Sequence, residues 1–567
     1  MQLLDSLISR GVLPEGDRLR AADAIASAPD LAPHVTLMEK GFVKENDLMP
    51  VLADEFGMEW VDLTQTKVDA EALSGAPLKL LNRKNLMPIA RHNGTLTVAT
   101  ADPYDVYSLD ELHTLTGLHI HPVLGSPREI TRLIKTNFGM GGDTVSALVE
   151  ERKDDVEFLE DFETDDSELA KQAQQASVVK LVNEFLVEAA NERASDIHLE
   201  HEEGGIRVRY RVDGLLQEQK LPPAINQFAA AIVSRLKIMA RLNIAEKRLP
   251  QDGRIKMRVQ GREVDVRVSI IPMIHGEGMV MRLLDKSRMV FNLKNIGFAS
   301  DIDRRFRQLL DLPHGIVIVT GPTGSGKSTT LYSALNEVKS ETLKVITVED
   351  PVEYQQPGIS QIQTHAKIGL TFAAALRSIL RHDPDVILIG EMRDLETAQS
   401  AIQASLTGHL VFSTLHTNDA PSAFTRMTDM GVEPFLVSTT VEGIMAQRLV
   451  RTICPDCKTE YEPSAEEVPI DFPWKPSEEV PVLRVHKGLG CRACRQSGYR
   501  GRTGIHELLI TNDLIRDLIS QRVTSAVIRA EGMKNGMRTL RQDGWIKALN
   551  GKTTIDEVGR TTAGDIS

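Results

Sequence analysis

Apolar and polar positions change period several times along the chain, and each change marks a new part. Leu3, Leu4, Leu7 and Ile8 recur at the spacing of one helix face. Further on the period shortens, and Leu96-Thr-Val-Ala-Thr and His119-Ile-His-Pro-Val-Leu read as strands. These segments predict an α+β unit over residues 1–139. Val178–Ala190 reads as an amphipathic helix. Alternating runs follow it: Asp196-Ile-His-Leu-Glu, Ile206-Arg-Val-Arg-Tyr-Arg-Val, Val264-Asp-Val-Arg-Val and Val280-Met-Arg-Leu-Leu. Such alternation suits a half-buried sheet, here within residues 176–297. Its polar face carries Arg207, Arg209, Arg211, Arg267 and Arg282, read either as a solvated face or as part of an anion site. From residue 298 onward the pattern turns to short continuous apolar runs, as in Ile316-Val-Ile-Val and Asp385-Val-Ile-Leu-Ile-Gly. Runs of this kind fit parallel strands covered on both faces.

Composition narrows the class. The chain has 567 residues, enough for about three to five domains at the usual domain size. There is no apolar run of the roughly 18 residues that a spanning helix needs. Met1–Arg10 lacks the basic flank and long apolar core of a secretory signal, so a cytoplasmic protein is expected. The net charge is -13, and Glu150–Glu168 holds 11 acidic and two basic residues. Removing that segment's -9 leaves -4 for the other 548 residues. An acidic block of this kind reads as a solvated linker, here residues 140–175, with an acidic docking tail as the alternative. The acidic balance and the lack of a basic, aromatic-interleaved groove argue against nucleic acid as a partner.

The strongest chemical signal is Gly321, Pro322, Thr323, Gly324, Ser325, Gly326, Lys327, Ser328 and Thr329, which fits G-x-x-x-x-G-K-[ST]. An apolar strand precedes it, and Leu331, Leu335 and Val338 mark a helix after it. Glycines let the backbone come close to phosphate oxygens, and the helix N-terminus favours their charge. In this reading Lys327 reaches the β- and γ-phosphates of a nucleotide and the Ser328 hydroxyl ligates Mg²⁺. Two further strands end in acids: Lys344-Val-Ile-Thr-Val runs into Glu349-Asp350, and Asp385–Gly390 runs into Glu391. Ligands of open α/β sheets sit at the carboxyl ends of strands, so both acids are expected beside the phosphate loop. One would orient the attacking water and the other would hold Mg²⁺. A fourth run, Gly408-His-Leu-Val-Phe-Ser-Thr-Leu-His-Thr-Asn, carries His409 and His416 as a candidate γ-phosphate sensor.

All four cysteines fall in two pairs, Cys454-x₂-Cys457 and Cys491-x₂-Cys494, with 33 residues between the pairs. Paired knuckles of this kind can close a tetrahedral zinc site, and four thiolates leave no open position, so the expected role is structural.

Taken together, these motifs resemble the secretion ATPases of the type II secretion system and the type IV pilus assembly machine, over about residues 176–567. Thr347-Val-Glu-Asp-Pro-Val-Glu-Tyr is similar to that family's Asp box, Asp385–Asp394 to its Walker B segment, and Gly408–Asn418 to its His box. Ala194-Ser-Asp-Ile-His-Leu-Glu, Arg248-Leu-Pro-Gln-Asp-Gly-Arg and His275-Gly-Glu match the preceding domain, and the paired-cysteine insertion is also the family's. Val266-Arg-Val-Ser and Val280-Met-Arg-Leu-Leu-Asp-Lys look closer to the type II secretion branch.

The resemblance implies a multidomain α/β protein. A RecA-like ATPase domain (298–567), with a zinc insertion (451–500) and a C-terminal helical region (501–567), would follow a PAS-like α+β domain (176–297). It also implies a homohexamer that uses ATP, Mg²⁺ and Zn²⁺. Glu391 would be the catalytic carboxylate, with Glu349, Lys327 and His416 beside it and Arg267 and Arg282 reaching the phosphates. Such a motor drives a pseudopilus or pilus through an inner-membrane platform protein. Leu37–Leu52 resembles part of the N-terminal repeat of these ATPases, which in some members binds cyclic di-GMP through an Arg-Leu-Gly start and a final glutamine. Here His34-Val-Thr and Asp54-Glu55 stand at those places, so docking to a membrane-anchored partner is the expectation for 1–139. The rivals are a type IV pilus extension motor, a RecA-like nucleic-acid translocase and a non-hydrolysing nucleotide-binding scaffold.

Overall fold

The computed structural model describes all residues except 1, 28–31, 44, 65, 74–76, 139–155, 159–175, 222, 286–290, 475–481 and 564–567. Most of the expected 140–175 linker therefore lies outside the described residues. The described part, Val156–Phe158, is a short strand. The chain forms two compact units, Met1–Asp285 and Lys286–Ser567. No helix among the described residues is long and apolar enough to cross a membrane.

The first unit opens with four helices, Gln2–Ser9, Arg18–Ala26, Pro33–Glu39 and Glu45–Phe56. Leu7, Leu13, Leu37, Leu48 and Leu52 close their core. A three-stranded sheet follows, ordered Leu86–His92, Thr95–Thr100, His119–Leu124. The first of these strands was not evident in the sequence, because its apolar half, Leu86-Met-Pro-Ile, is continuous and contains a proline. Pro88 sits at a register shift, where a missing N–H is tolerated.

The second sheet of this unit is antiparallel throughout. Its order is Val156–Phe158, Gln251–Val259, Arg262–Met273, Gly276–Asp285, Asp196–Glu202, Gly205–Val212, Leu215–Gln219. Alternation works as expected. Val264, Val266, Val268 and Ile270 enter the core with the helices Ala176–Asn191 and Ala229–Met239, while Arg267 and Ser269 face away.

The second unit is built on a seven-stranded sheet ordered Ser360–Gln363, Val345–Glu349, Val386–Ile389, Leu410–Leu415, Gly315–Thr320, Val441–Ile453, Tyr499–Ile510. The first six strands are parallel and the last is antiparallel. Gly315–Thr320 and Leu410–Leu415 are buried along their whole length, as the continuous apolar runs require. One face packs on Ser300–Leu310 and Lys327–Val338, and the other on Leu395–Leu406, Pro421–Asp429 and Pro434–Thr440. This doubly covered parallel sheet is the core that a RecA-like fold calls for.

One difference from expectation concerns residues 501–567, anticipated as helical. Their first stretch completes the Tyr499–Ile510 strand, and helices begin only at Asp513. The Gly504-Ile-His-Glu-Leu-Leu-Ile run is buried on both sheet faces, so it lacks the alternation that announces a strand.

Candidate functional site

The nucleotide-binding candidate lies at the carboxyl edge of this sheet. The phosphate loop leaves the Gly315–Thr320 strand and enters the Lys327–Val338 helix at its N-cap, Gly326. Two glycines here are required by space as well as by φ. Gly321 (φ 146°) lies so close to the Gln447 carbonyl that a Cβ would stand 2.4 Å from it. At Gly326 (φ 91°) a Cβ would come within 2.8 Å of the Gln447 amide nitrogen. Gln447 fixes the loop actively, since its Nε2 donates to the Ser325 carbonyl (2.9 Å) and its Oε1 accepts from Thr330 Oγ1 (2.7 Å). Nothing in the sequence pattern singled out this residue, which lies 122 positions from Ser325.

Lys327 donates to the carbonyls of Gly321 (2.7 Å) and Pro322 (3.2 Å). Burial pushes its ammonium down to about 8, while the Glu391 carboxylate pulls the other way. The lysine and the acid therefore share one electrostatic environment. Ser328 and Thr323 are exposed at the mouth of the loop. The narrow glycine cradle, the helix N-terminus and the lysine together fit a nucleotide polyphosphate, and the Ser328 hydroxyl is the residue that would hold its Mg²⁺.

The two strand-end acids differ. Glu391 is largely enclosed, with one oxygen against the Arg393 guanidinium and the other 3.3 Å from His416 Nε2. Glu349 is buried and committed to the protein. One oxygen accepts from the Tyr332 hydroxyl, and the other from Thr347 Oγ1 (2.7 Å) and Gln361 Nε2 (3.0 Å). Asp350, next in sequence, is exposed.

The two histidines also part company. His416 follows the Leu410–Leu415 strand and reaches Glu391. His409 precedes that strand, and its Nδ1 is engaged with the Ala404 carbonyl (2.8 Å) and Thr407 Oγ1 (3.1 Å). The two therefore sit at opposite ends of one strand, and of the pair it is His416 that lies beside Glu391. Polar rungs hold the strand ends in register. Thr414 Oγ1 donates to the Gly390 carbonyl (2.7 Å), and Thr320 Oγ1 accepts the Thr417 N–H (2.8 Å).

Arg267 and Arg282 belong to the first unit. They stand opposite each other on adjacent strands, in a cross-strand row that runs Arg254, Arg267, Arg282, Asp196, Arg211. Arg282 Nε bonds Asp196 at 3.0 Å. Elsewhere on this face Arg207 pairs with Glu218 (2.7 Å) and Glu202 (3.0 Å), and Arg209 pairs with Glu200. The face is therefore a lattice of cross-strand ion pairs rather than free solvated arginines.

The four cysteine sulfurs converge where the Val441–Ile453 strand ends and the Tyr499–Ile510 strand begins. All lie within 4.8 Å of one another. Cys454–Cys491 and Cys457–Cys494 are 3.7 Å apart, and Cys491–Cys494 is 3.6 Å. A tetrahedral zinc with bonds of about 2.3 Å needs sulfurs about 3.8 Å apart, so the donor set fits the ion. Backbone N–H groups of Cys491 (3.1 Å) and Gly498 (3.3 Å) point at the Cys494 sulfur, as they do around thiolate ligands. Burial alone would raise the Cys494 thiol, but these bonds win and bring it down to about 7. Burial pushes Cys457 up to about 12. Holding all four sulfurs as thiolates at this spacing would take a cation among them. Gly488 and Gly498 face each other across the knuckles, and a Cβ on Gly488 would fall 2.0 Å from the Gly498 carbonyl.

Comparison with known proteins follows the same lines. A family model described as type II/IV secretion system protein matches residues 171–560, and an MshEN domain model matches residues 56–144. The chain is 45% identical over 567 residues to the type II secretion system protein E of Xanthomonas campestris pv. campestris, covering 99% of this chain and 98% of that one. It is 41% identical over 563 residues to the type IV pilus assembly ATPase PilB of Myxococcus xanthus, covering 99% of each. Over 431 residues it is 47% identical to the type II secretion system ATPase E of Vibrio cholerae, covering 76% of this chain and 82% of that one.

Proposed function

The chain belongs to the type II/IV secretion system protein family, and from that premise we propose that it is an ATP-hydrolysing motor of type II secretion. The observation that carries the reading is the meeting of the phosphate loop, Lys327, Glu391 and His416 at one sheet edge. Full-length similarity to a type II secretion protein E supports the choice of machine.

The proposed reaction is in-line attack of water on the γ-phosphate. The loop amides and Lys327 hold the phosphates, and the Ser328 hydroxyl would ligate Mg²⁺, which offsets phosphate charge. Glu391 orients the water and accepts its proton, while His416 holds the outer oxygen of that carboxylate. Glu349 supports the site by anchoring the end of the neighbouring strand to Tyr332 and Gln361. Arg267 and Arg282 are assigned to offset negative charge as it develops. In this reading the chain works as a cytoplasmic homohexamer held at the inner membrane by its partners. Its N-terminal part docks a membrane-anchored secretion component, and hydrolysis drives a pseudopilus through a platform protein. Cys454, Cys457, Cys491 and Cys494 would hold one structural Zn²⁺.

A second reading, the type IV pilus extension motor, is favoured by the full-length similarity to PilB. It shares every motif above, so a pull-down of the platform protein separates the two machines. The hydrolysis itself is tested by Lys327→Ala in the assembled protein. Steady-state turnover should collapse, and unchanged turnover would sink the assignment. DNA-stimulated turnover with a steep salt dependence would revive the translocase rival.

A further inference from the structure

The five residues from His416 to Ala420 connect the reacting edge to the C-terminal region, and side chains outside every motif hold them. The Ala420 N–H donates to Glu507 Oε1 at 2.7 Å. Glu507 lies on the antiparallel Tyr499–Ile510 strand and is fully enclosed. Asp419 accepts the Ser422 N–H through Oδ1 (2.8 Å) and Arg529 Nη2 through Oδ2 (2.7 Å). Its carbonyl accepts Thr417 Oγ1 (2.9 Å), and Thr417 bonds back to Thr320, the last residue of the phosphate-loop strand. His416, at the head of the same loop, meets Glu391.

The loop is thus bolted at one end to residues 87 and 110 positions away, and with its other end it touches the proposed catalytic acid. The charged groups facing Glu507 are Asp419 and Arg529, and the N–H groups of Ala420 and Leu540 also act on it. Loss of a buried acceptor leaves a bare N–H, and loss of a charge-assisted bond frees Asp419. Either change would let the loop shift without touching the phosphate cradle.

We propose that Asp419, Arg529 and Glu507 are positioning residues for ATP hydrolysis that act by holding His416 against Glu391. The proposal rests on the ATPase reading above. Its test uses the full chain, with turnover, nucleotide affinity and melting temperature measured for Asp419→Asn and Arg529→Ala, alone and combined with His416→Ala. Asp419→Asn keeps an oxygen for the Ser422 N–H and drops only the charge that Arg529 meets. Each single change is expected to lower kcat about tenfold, with nucleotide affinity within about twofold of wild type. In the His416→Ala background the same changes should alter kcat by less than about twofold, since the histidine they act through is gone. Glu507→Gln, which keeps the acceptor, should retain turnover, whereas Glu507→Leu should lose it. Fully additive losses in the double variants, or a parallel loss of nucleotide affinity, overturn the proposal. A wild-type chain that hydrolyses no ATP sinks the ATPase reading and this proposal with it. An active wild type with additive losses sinks the proposal alone.

Discussion

The phosphate loop and the cysteine knuckles lie along one strand, Val441–Ile453, and they are built by opposite means. At Gln447 the strand supports a loop made mostly of backbone, with glycines leaving room and one lysine supplying charge. At Cys454, seven residues on, it enters a site made of four side chains whose sulfurs converge within 4.8 Å of one another. The first site is open because its ligand must come and go. In the second, all four donor atoms belong to the protein. Two sites on one strand can therefore have separate duties, one in turnover and the other in holding a fold together.

That separation can be broken by experiment. The largest effect should come from Glu391→Gln, with kcat reduced by about 10²–10⁴-fold, the usual range for removing a general base. Nucleotide binding and zinc content should be unchanged, and a variant that lost its metal would join the two sites after all.

Next comes Cys454→Ser or treatment with a chelator. Elemental analysis should fall from close to one zinc per chain toward none, and the 454–498 excursion should become sensitive to protease. Nucleotide affinity should change little, and an equal loss there would erase the contrast.

Gln447→Ala sharpens it further, because this side chain bonds the phosphate loop at Ser325 and the helix that follows it at Thr330. Removing both of its bonds leaves buried polar groups unpaired, which costs about 1–3 kcal/mol. The expected result is a lower melting temperature and weaker nucleotide binding, with zinc retained.

The smallest effect is a pH term. Burial pushes the Glu507 carboxyl up to about 7, against an ordinary value of 4.5. The folded chain therefore binds an extra proton between those values, and this group's contribution to stability is lost as pH rises through about 7. Glu507→Gln should flatten that slope in melting temperature against pH.

What could be read from the sequence was the chemistry that is local in the chain. The phosphate loop, its strand and its helix occupy one continuous segment, and each cysteine pair is its own short motif, so spacing alone revealed them. The strands of the first unit's large sheet alternate cleanly between Val266, Arg267 and Val268 because one face is covered and the other wet. What stayed hidden depends on partners far off. That Glu349 is already committed became visible only once Tyr332 and Gln361 were seen to converge on it. Glu507 looks like an ordinary acid in an apolar run until the fold brings Ala420 to it. His409 and His416 read as a pair because they are seven residues apart, and a strand then sends them to opposite edges.

The cysteine knuckles have a further consequence, for the order in which the unit folds. The last strand of the main sheet must find Val441–Ile453 across an excursion of 45 residues, 454–498. Closing a flexible loop of that length costs about 3 kcal/mol of chain entropy before any ladder bond forms. With a metal at the four sulfurs, Cys454 and Cys494 become neighbours first, and the distant pairing is reduced to the zipping of a local hairpin from Ile453 and Tyr499 inward. The knuckles then act as the turn of a very long hairpin. Refolding with zinc present should be faster than refolding without it, even where the two end states carry the same strands.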